Sequence, residues 1–129
     1  MDKANIFSYI DVMDKAADAS YLRNQAIANN LANVNTPGYK RQDVTFESEL
    51  RHALSHIEDR TMDGKVYNMD LDEITPKVYT DAASYSYRLD GNNVDVDTEN
   101  VYLAENQIKY NAIMDSVAKE FSILASVMK

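Results

Sequence analysis

The 129-residue chain has no cysteine, only three glycines and only two prolines. Without cysteine it can form no disulfide, no thiolate metal site and no thiol-based active site. No apolar run approaches the roughly 20 residues that a membrane-spanning helix requires. The first residues are polar and lack the basic and then apolar segments of a secretory signal, which taken alone predicts a cytoplasmic protein.

The few helix-breaking residues all lie in the middle of the chain, at Pro37, Gly38, Gly64, Pro76 and Gly91. Because glycine and proline interrupt helices, their absence from both ends predicts a long helix at each end. Residues 6–33 and 98–128 both show the 3-then-4 apolar spacing of a coiled-coil seam.

The predicted seam positions are candidates for helix packing and assembly. In the first helix they are Ile10, Met13, Ala17, Ile27, Leu31 and Val34, with the polar Ser20 and Asn24 between them. In the second helix they are Leu103, Tyr110, Met114, Val117, Phe121, Leu124 and Met128, with the polar Gln107 among them. Polar seam residues usually fix the register of a helix pair at some cost in stability.

The middle of the chain predicts short, mixed elements. Residues 44–57 resemble a third, short helix, while 77–80 and 85–89 favour strands. A turn is predicted at Asp90, Gly91 and Asn92, and Asp97 or Thr98 is the expected N-cap of the last helix. The predicted fold is therefore mainly α: two long terminal helices packed as an antiparallel coiled-coil pair, with a small irregular β-containing middle segment.

Charge divides the chain in the same way. The formal net charge of −8 argues against nucleic acid, whose phosphates would repel the protein. Residues 1–41 carry +1, residues 42–97 carry −8 and residues 98–129 carry −1. Nearly neutral ends can pack against copies of themselves, and an acidic middle suits a solvated outer surface. We expect 1–41 and 98–129 to form one helical domain, with 42–97 as a separate middle segment.

One stretch stands out by its asparagines and its turn. It comprises Ala28, Asn29, Asn30, Leu31, Ala32, Asn33, Val34, Asn35, Thr36, Pro37, Gly38 and Tyr39. Pro37 and Gly38 suit the two centre positions of a type II turn. Asn29 and Asn30 lie a turn before the helix end, where an amide either faces water or bonds to another chain. The stretch resembles the N-terminal signature of the flagellar rod, hook and hook-associated protein family.

A second stretch, residues 90–97 followed by Glu99 and residues 103–106, resembles the short proximal-rod branch of that family. The resemblance implies a structural subunit that polymerises through its terminal helices into a helical tube and transmits torque from motor to hook. It implies other rod proteins, the basal-body adaptor at the export gate and MS ring, and the type III export apparatus as partners. It also implies a place in the flagellar basal body, within the cell envelope, after export without a cleaved signal.

Other readings of the sequence point elsewhere. His52 and His56 share a helix face and could hold zinc in a metal-dependent enzyme, but the His-Glu-x-x-His arrangement is absent. Two acidic clusters, at 70–73 and 90–97, do not fit a calcium-binding EF-hand loop. No nucleophile motif or phosphate-binding loop is present, so we predict no enzyme, no catalytic residue and no cofactor. The remaining alternative is a small acidic helical adaptor or export chaperone that forms a closed dimer.

Overall fold

A computed structural model describes residues 6–82 and 88–129. The elements, in chain order, are α1 (Ile6–Ala32), β1 (Gln42–Thr45), α2 (Glu47–His56), α3 (Met62–Asn68), β2 (Lys77–Thr80) and α4 (Val96–Val127). The predicted fold is confirmed, since the chain is mainly helical, its two long terminal helices pack together, and a small antiparallel sheet lies between them in sequence. Among the described helices, none has the length and hydropathy that would let it cross a bilayer.

The two long helices run antiparallel. Near the start of α4, Glu99 meets Asn30, which is close to the end of α1. Two turns further along α4, Asn106 meets Ser20 and Asn24, which lie earlier in α1. Because contacts that advance along one helix go back along the other, the start of α1 and the end of α4 lie at the same end of the helix pair.

The start of α4 corrects the predicted cap. Asp95, rather than Asp97 or Thr98, is the N-cap, because its backbone is extended and its carboxylate accepts a hydrogen bond from the Asp97 N–H at 3.0 Å. Asp97 therefore lies inside the first turn, together with Glu99. Negative charges there interact favourably with the positive end of the helix dipole.

The middle segment agrees with the prediction only in part. The strand at Lys77–Thr80 is confirmed, and it pairs antiparallel with β1, in register from Gln42↔Thr80 to Thr45↔Lys77. The predicted helix over 44–57 began too early, since Val44 lies in β1 and the helix starts at Glu47. The short helix α3 was not predicted; Thr61 caps it by accepting a hydrogen bond from the Gly64 N–H.

The predicted strand over 85–89 lies mostly outside the described residues. Of its positions only Arg88 and Leu89 are described, and they form a bend and a turn rather than a strand. This segment leads directly into the second of the two sequence motifs.

The apolar interior lies between α1 and the middle segment. Its buried members are Ala19, Ala26, Val44, Phe46, Ala53, Met69 and Ile74. No residue of α4 belongs to this cluster, and the only buried residues of α4 are Glu99 and Asn106. Thus one side of α1 packs against the apolar core, and another side contacts the buried polar residues Glu99 and Asn106 of α4.

Candidate functional site at the junction of two motifs

The fold brings together the two stretches that stand out in the sequence, residues 28–39 (the first motif) and 90–97 (the second motif). They are more than 50 positions apart in the chain, yet several hydrogen bonds join them directly. Together with β1 and the first turn of α4, they form a polar junction at one end of the helix pair. The junction is built mainly from side-chain amides.

Asn30 is the most fully bonded residue of the first motif. Its side chain is completely buried, and its amide accepts from the Gln42 N–H and donates to the Gln42 carbonyl, each at 2.8 Å. The same amide also donates to Glu99 and accepts from the Tyr39 hydroxyl. Asn30 thus bonds to β1 much as a neighbouring strand would. The sequence predicted that this amide would face water or bond to another chain, and that prediction was wrong for Asn30. Asn29, in contrast, is exposed.

Arg41 and Glu99 form an ion pair at the centre of the junction. The Arg41 Nε donates to Glu99 at 2.7 Å, its Nη1 donates to Asp81 at 3.0 Å, and the guanidinium stacks over the Tyr102 ring. Burial alone would lower the pKa of Arg41, but its hydrogen bonds to Glu99 and Asp81 raise it above the ordinary value. Removing one partner of a buried pair typically costs about 3–5 kcal/mol, because the other charge is left uncompensated.

Asn92 of the second motif closes the end of α1. Its buried side chain donates to the carbonyls of Asn33, Val34 and Thr36, at 2.8 to 3.0 Å. These carbonyls lie just beyond the last residue of α1. Each also accepts a second hydrogen bond, from the Thr36 N–H, the Arg88 guanidinium and the Tyr39 N–H respectively. The second motif therefore holds in place the segment that follows α1, which lies almost 60 residues earlier in the chain.

The two glycines of the motifs lie side by side. Gly38 has φ +73° and follows Pro37 in a turn closed by a hydrogen bond from the Tyr39 N–H to the Thr36 carbonyl, as predicted for a type II turn. Gly91 has φ +75°, and a Cβ built on it would lie 3.8 Å from the Gly38 Cα. The Gly38 N–H also donates to the Asp90 carbonyl at 2.7 Å, so the two turns are bonded to each other.

Tyr39 completes the junction. Burial raises the pKa of its hydroxyl, and the nearby Glu99 carboxylate raises it further. The hydroxyl donates to the Asn30 side chain at 3.1 Å. Chemically, the arrangement is a network of paired donors and acceptors, and its geometry suits holding the end of α1 and the start of α4 in a fixed relation.

Comparison with known proteins points to one family, and the matched residues include the first motif. The family described as "Flagella basal body rod protein" matches residues 22–40, which include the first motif. The flagellar basal body rod protein FlgB of Bacillus subtilis is 35% identical over 121 residues, covering 92% of each chain. The FlgB protein of Borrelia hermsii is 35% identical, and the match covers 97% of this chain and 99% of that protein. The FlgB protein of Escherichia coli is 29% identical, and the match covers 83% of each chain.

This chain belongs to the FlgB family of flagellar basal body rod proteins. The relatives cover the whole architecture and not only the first motif. The chain is accordingly a structural component of the flagellar rod. The family's proteins are named as rod components and not as enzymes, which fits the predicted lack of catalytic residues.

The predicted packing residues of the first helix are all buried or half-buried. Ile27 is buried, and it lines a groove together with Tyr102 and Asn106 of α4. The other predicted positions are all half-buried: Ile10, Met13, Ala17, Leu31 and Val34.

The predicted seam of α4 is rotated by one position. Val117 and Leu124 are half-buried, as expected, while Leu103 and Tyr110 are more exposed. The row of positions that faces α1 is Glu99, Asn106, Ile113 and Glu120, instead of Gln107, Met114, Phe121 and Met128. The prediction that Met114, Phe121 and Met128 pack within one chain is therefore wrong, because all three are exposed. Their predicted role in assembly stays a prediction.

The rotation has a physical cause. Apolar residues lie almost all round α4, so periodicity alone does not single out one face. Glu99 binds Asn30 of α1 and Arg41, and the Asn106 Nδ2 donates to the Ser20 carbonyl and the Asn24 side chain, while the Asn106 Oδ1 has no hydrogen-bond partner among the described residues. Pairing these polar groups turns their row inward. The seven-residue spacing of Glu99 and Asn106 places both on one face of α4, but that spacing does not show that α1 and Arg41 supply their partners.

The two histidines stack on each other at the surface. Their ring centroids are 4.0 Å apart, and His56 Nδ1 lies 2.9 Å from the His52 carbonyl oxygen. Within residues 6–82 and 88–129, no group of three histidine or acidic side chains is placed to hold a metal ion.

Proposed function

We propose that this chain is a subunit of the proximal rod, and that it polymerises through its terminal helices into a helical tube that transmits torque from motor to hook. Membership of the FlgB family supports the assignment to the rod, and the exposed apolar side chains of α4 support polymerisation. The observation that carries the proposal is that this 32-residue helix buries only two of its own residues, both polar.

Several exposed side chains of α4 are large and apolar. Ile108 is 70% exposed, Phe121 50% and Val127 76%. Apolar surface of this extent on a helix is typical of a protein interaction site. Within one chain α4 gains little from burial beyond its polar row, so neighbouring subunits would supply most of the apolar contacts that hold it.

The contacts between subunits would be heterologous, with different surfaces meeting. Such contacts generate an open helical assembly when the rotation between copies does not close. In this arrangement residues 1–41 and 98–129 form the assembling helical part, and the acidic segment 42–97 faces outward. Its carboxylates suit a solvated surface.

The proposal includes the partners and the route that the rod requires. These are neighbouring rod proteins, the basal-body adaptor at the export gate and MS ring, and a type III channel that exports the unfolded chain without a cleaved signal. The small apolar core supports export, because a domain of this size buries limited surface and unfolds at modest cost.

The test separates assembly from folding by changing an exposed residue. Phe121→Asp places a charge on a side chain that is already half exposed, so the isolated protein should keep its helical circular dichroism spectrum and its melting temperature. In the rod the same charge would be buried without a partner, so basal bodies should lack the rod and cells should be non-motile.

Ser122→Asp serves as the matched control, because it adds the same single negative charge to the same helix at an exposed position that is already polar. Normal rods and normal swimming with Phe121→Asp would contradict the proposal. A discrete dimer at every protein concentration, measured by sedimentation, would favour the closed adaptor instead.

A further inference from the structure

An apolar groove opens beside the α1–α4 contact. It has a volume of about 310 Å³ and is lined by Ala16, Ala19, Phe46, Ala112 and Ile113. This volume is at the lower limit of ligand pockets, which span about 300–1,000 Å³. The groove is therefore suited to one large side chain rather than to a whole helix.

The mouth of the groove carries charged side chains. Arg23 and Lys109 lie there together with Glu47, and Arg23 is shared between Glu47 and Asp43, which lies 3.5 Å from its Nε. Glu47 accepts from both nitrogens of the Arg23 fork, at 2.9 and 2.7 Å, while Lys109 reaches it at 3.3 Å and stays 55% exposed. Lys109 can therefore interact with a further carboxylate from outside the chain.

A stripe of opposite charge lies on the other side of α1. Its members follow a 4-then-3 spacing and are all exposed: Phe7, Asp11, Asp14, Asp18 and Tyr21. Within the described residues, the three aspartates form no ion pair. The Tyr21 ring is 61% exposed, although a ring of this size usually finds apolar contacts.

The stripe and the groove point in nearly opposite directions. At 100° per residue, Asp14, Asp18 and Tyr21 lie about half a turn around α1 from Ala16, Ala19 and Arg23. One copy can therefore use its groove and its stripe at the same time, toward two different neighbours. A contact between these two surfaces would be heterologous and would repeat in one direction.

We propose that the groove receives the Tyr21 ring of a second copy of this chain, with Asp18 of that copy at Lys109. This inference rests on the proposed function, and it names the surfaces through which neighbouring copies meet. The ring body fits the apolar lining, its hydroxyl stays at the polar mouth, and the acidic stripe is complementary to the exposed ammonium group of Lys109 there.

Ring removal tests the anchor. The full-length Tyr21→Ser variant should self-associate at least about thirtyfold more weakly than wild type in analytical ultracentrifugation, as for an interface hot spot. Tyr67→Ser, which removes a tyrosine that is 49% exposed on α3, should leave the association unchanged. Filling the groove by Ala112→Phe should weaken the association like Tyr21→Ser, whereas Ala112→Ser should not.

A charge exchange tests which surfaces meet. Asp18→Lys places like charges at the contact, and so does Lys109→Glu, so each variant alone should self-associate weakly. When the two variants are mixed, each contact between them again joins opposite charges. Either the introduced lysine meets the introduced glutamate, or the original Asp18 meets the original Lys109. The mixture should therefore associate nearly as well as wild type.

Two results would overturn the inference. One is an equal mixture that associates no better than either variant alone; the other is a Tyr21→Ser protein that self-associates like wild type. If Tyr21→Ser also enters basal bodies and supports swimming, the contact is refuted while the proposed rod function stands. The proposed function itself fails on different results: a wild-type chain missing from isolated basal bodies, or normal rods with Phe121→Asp.

Discussion

Single buried amides hold the junction of the two motifs together. Asn30 pairs with both backbone groups of Gln42, and Asn92 binds three carbonyls beyond the end of α1. An amide can do this because it has both donors and acceptors and carries no charge that burial would penalise. At position 30, aspartate has the same size but cannot donate, and leucine would leave both backbone groups of Gln42 without this partner.

Replacing Asn30 by alanine should therefore be strongly destabilising. Asn30→Ala leaves the N–H and the carbonyl of Gln42 buried without their partner, at about 1–3 kcal/mol for each unsatisfied group. We expect the free energy of unfolding to fall by about 3 kcal/mol or more in urea denaturation. Asn29→Ala changes an exposed amide in the same turn of α1, and it should change stability by no more than about 0.5 kcal/mol. Equal losses for the two variants would refute this account of the motif.

At the scale of elements, one carboxylate connects three helices. Glu47 of α2 bonds to Arg23 of α1 and Lys109 of α4, next to the groove between them. Burial alone would raise the pKa of Glu47, but the hydrogen bonds from Arg23 lower it from 4.5 to about 2. Because the pKa is lower in the folded state, the contribution of this group to stability is present above pH 4.5 and is lost as the pH falls toward 2.

The pH dependence of a neutral variant tests this connection. At pH 6, Glu47→Gln should lower the free energy of unfolding by about 0.5–1 kcal/mol, a modest loss because the side chain is half exposed and screened by solvent. The difference from wild type should shrink between pH 4.5 and pH 2 and should be smaller in about 1 M salt. Glu49→Gln removes an exposed charge from the same turn of α2, and its effect should be small throughout. A gap that stays constant down to pH 2 would contradict the argument.

At the scale of the whole molecule, the two halves of α4 are held differently. Its first turns are tied to the junction through Glu99 and Asn106, whereas the later turns contact α1 mainly through Ile113, Val117 and Leu124. Helix α1 is better secured, because Ala19 and Ala26 belong to the apolar core. Local stability should thus decrease from the junction toward the ends of the chain.

Hydrogen exchange on dilute and assembled protein should reveal this gradient. In dilute solution, we expect amides of residues 110–127 to exchange much faster than those of residues 19–32. Assembly should slow exchange in 110–127 most, since neighbours would then cover the exposed side of α4. Protection that is already uniform along α4 in the dilute protein would contradict both the gradient and the need for neighbours.

Much of the fold could be predicted because it depends on local features. The absence of glycine and proline from both ends, together with the apolar spacing, indicated two long helices, and Lys77–Thr80 had the composition of a strand. The Pro37-Gly38 turn was predictable because only a residue that tolerates positive φ fits its third position. The boundary at Val44 and the helix α3 were missed, since short elements in this segment are determined by packing on α1 rather than by propensity.

Periodicity and composition were thus sufficient for the number, length and order of the main helices, because these depend on which residues permit a helix. They were not sufficient for the way in which α4 faces α1. That orientation follows from buried polar groups at positions 30, 41, 99 and 106, whose partners come from distant parts of the chain. Hydrogen bonds between such distant residues leave no periodic trace in the sequence, so the meeting of the two motifs became visible only in three dimensions.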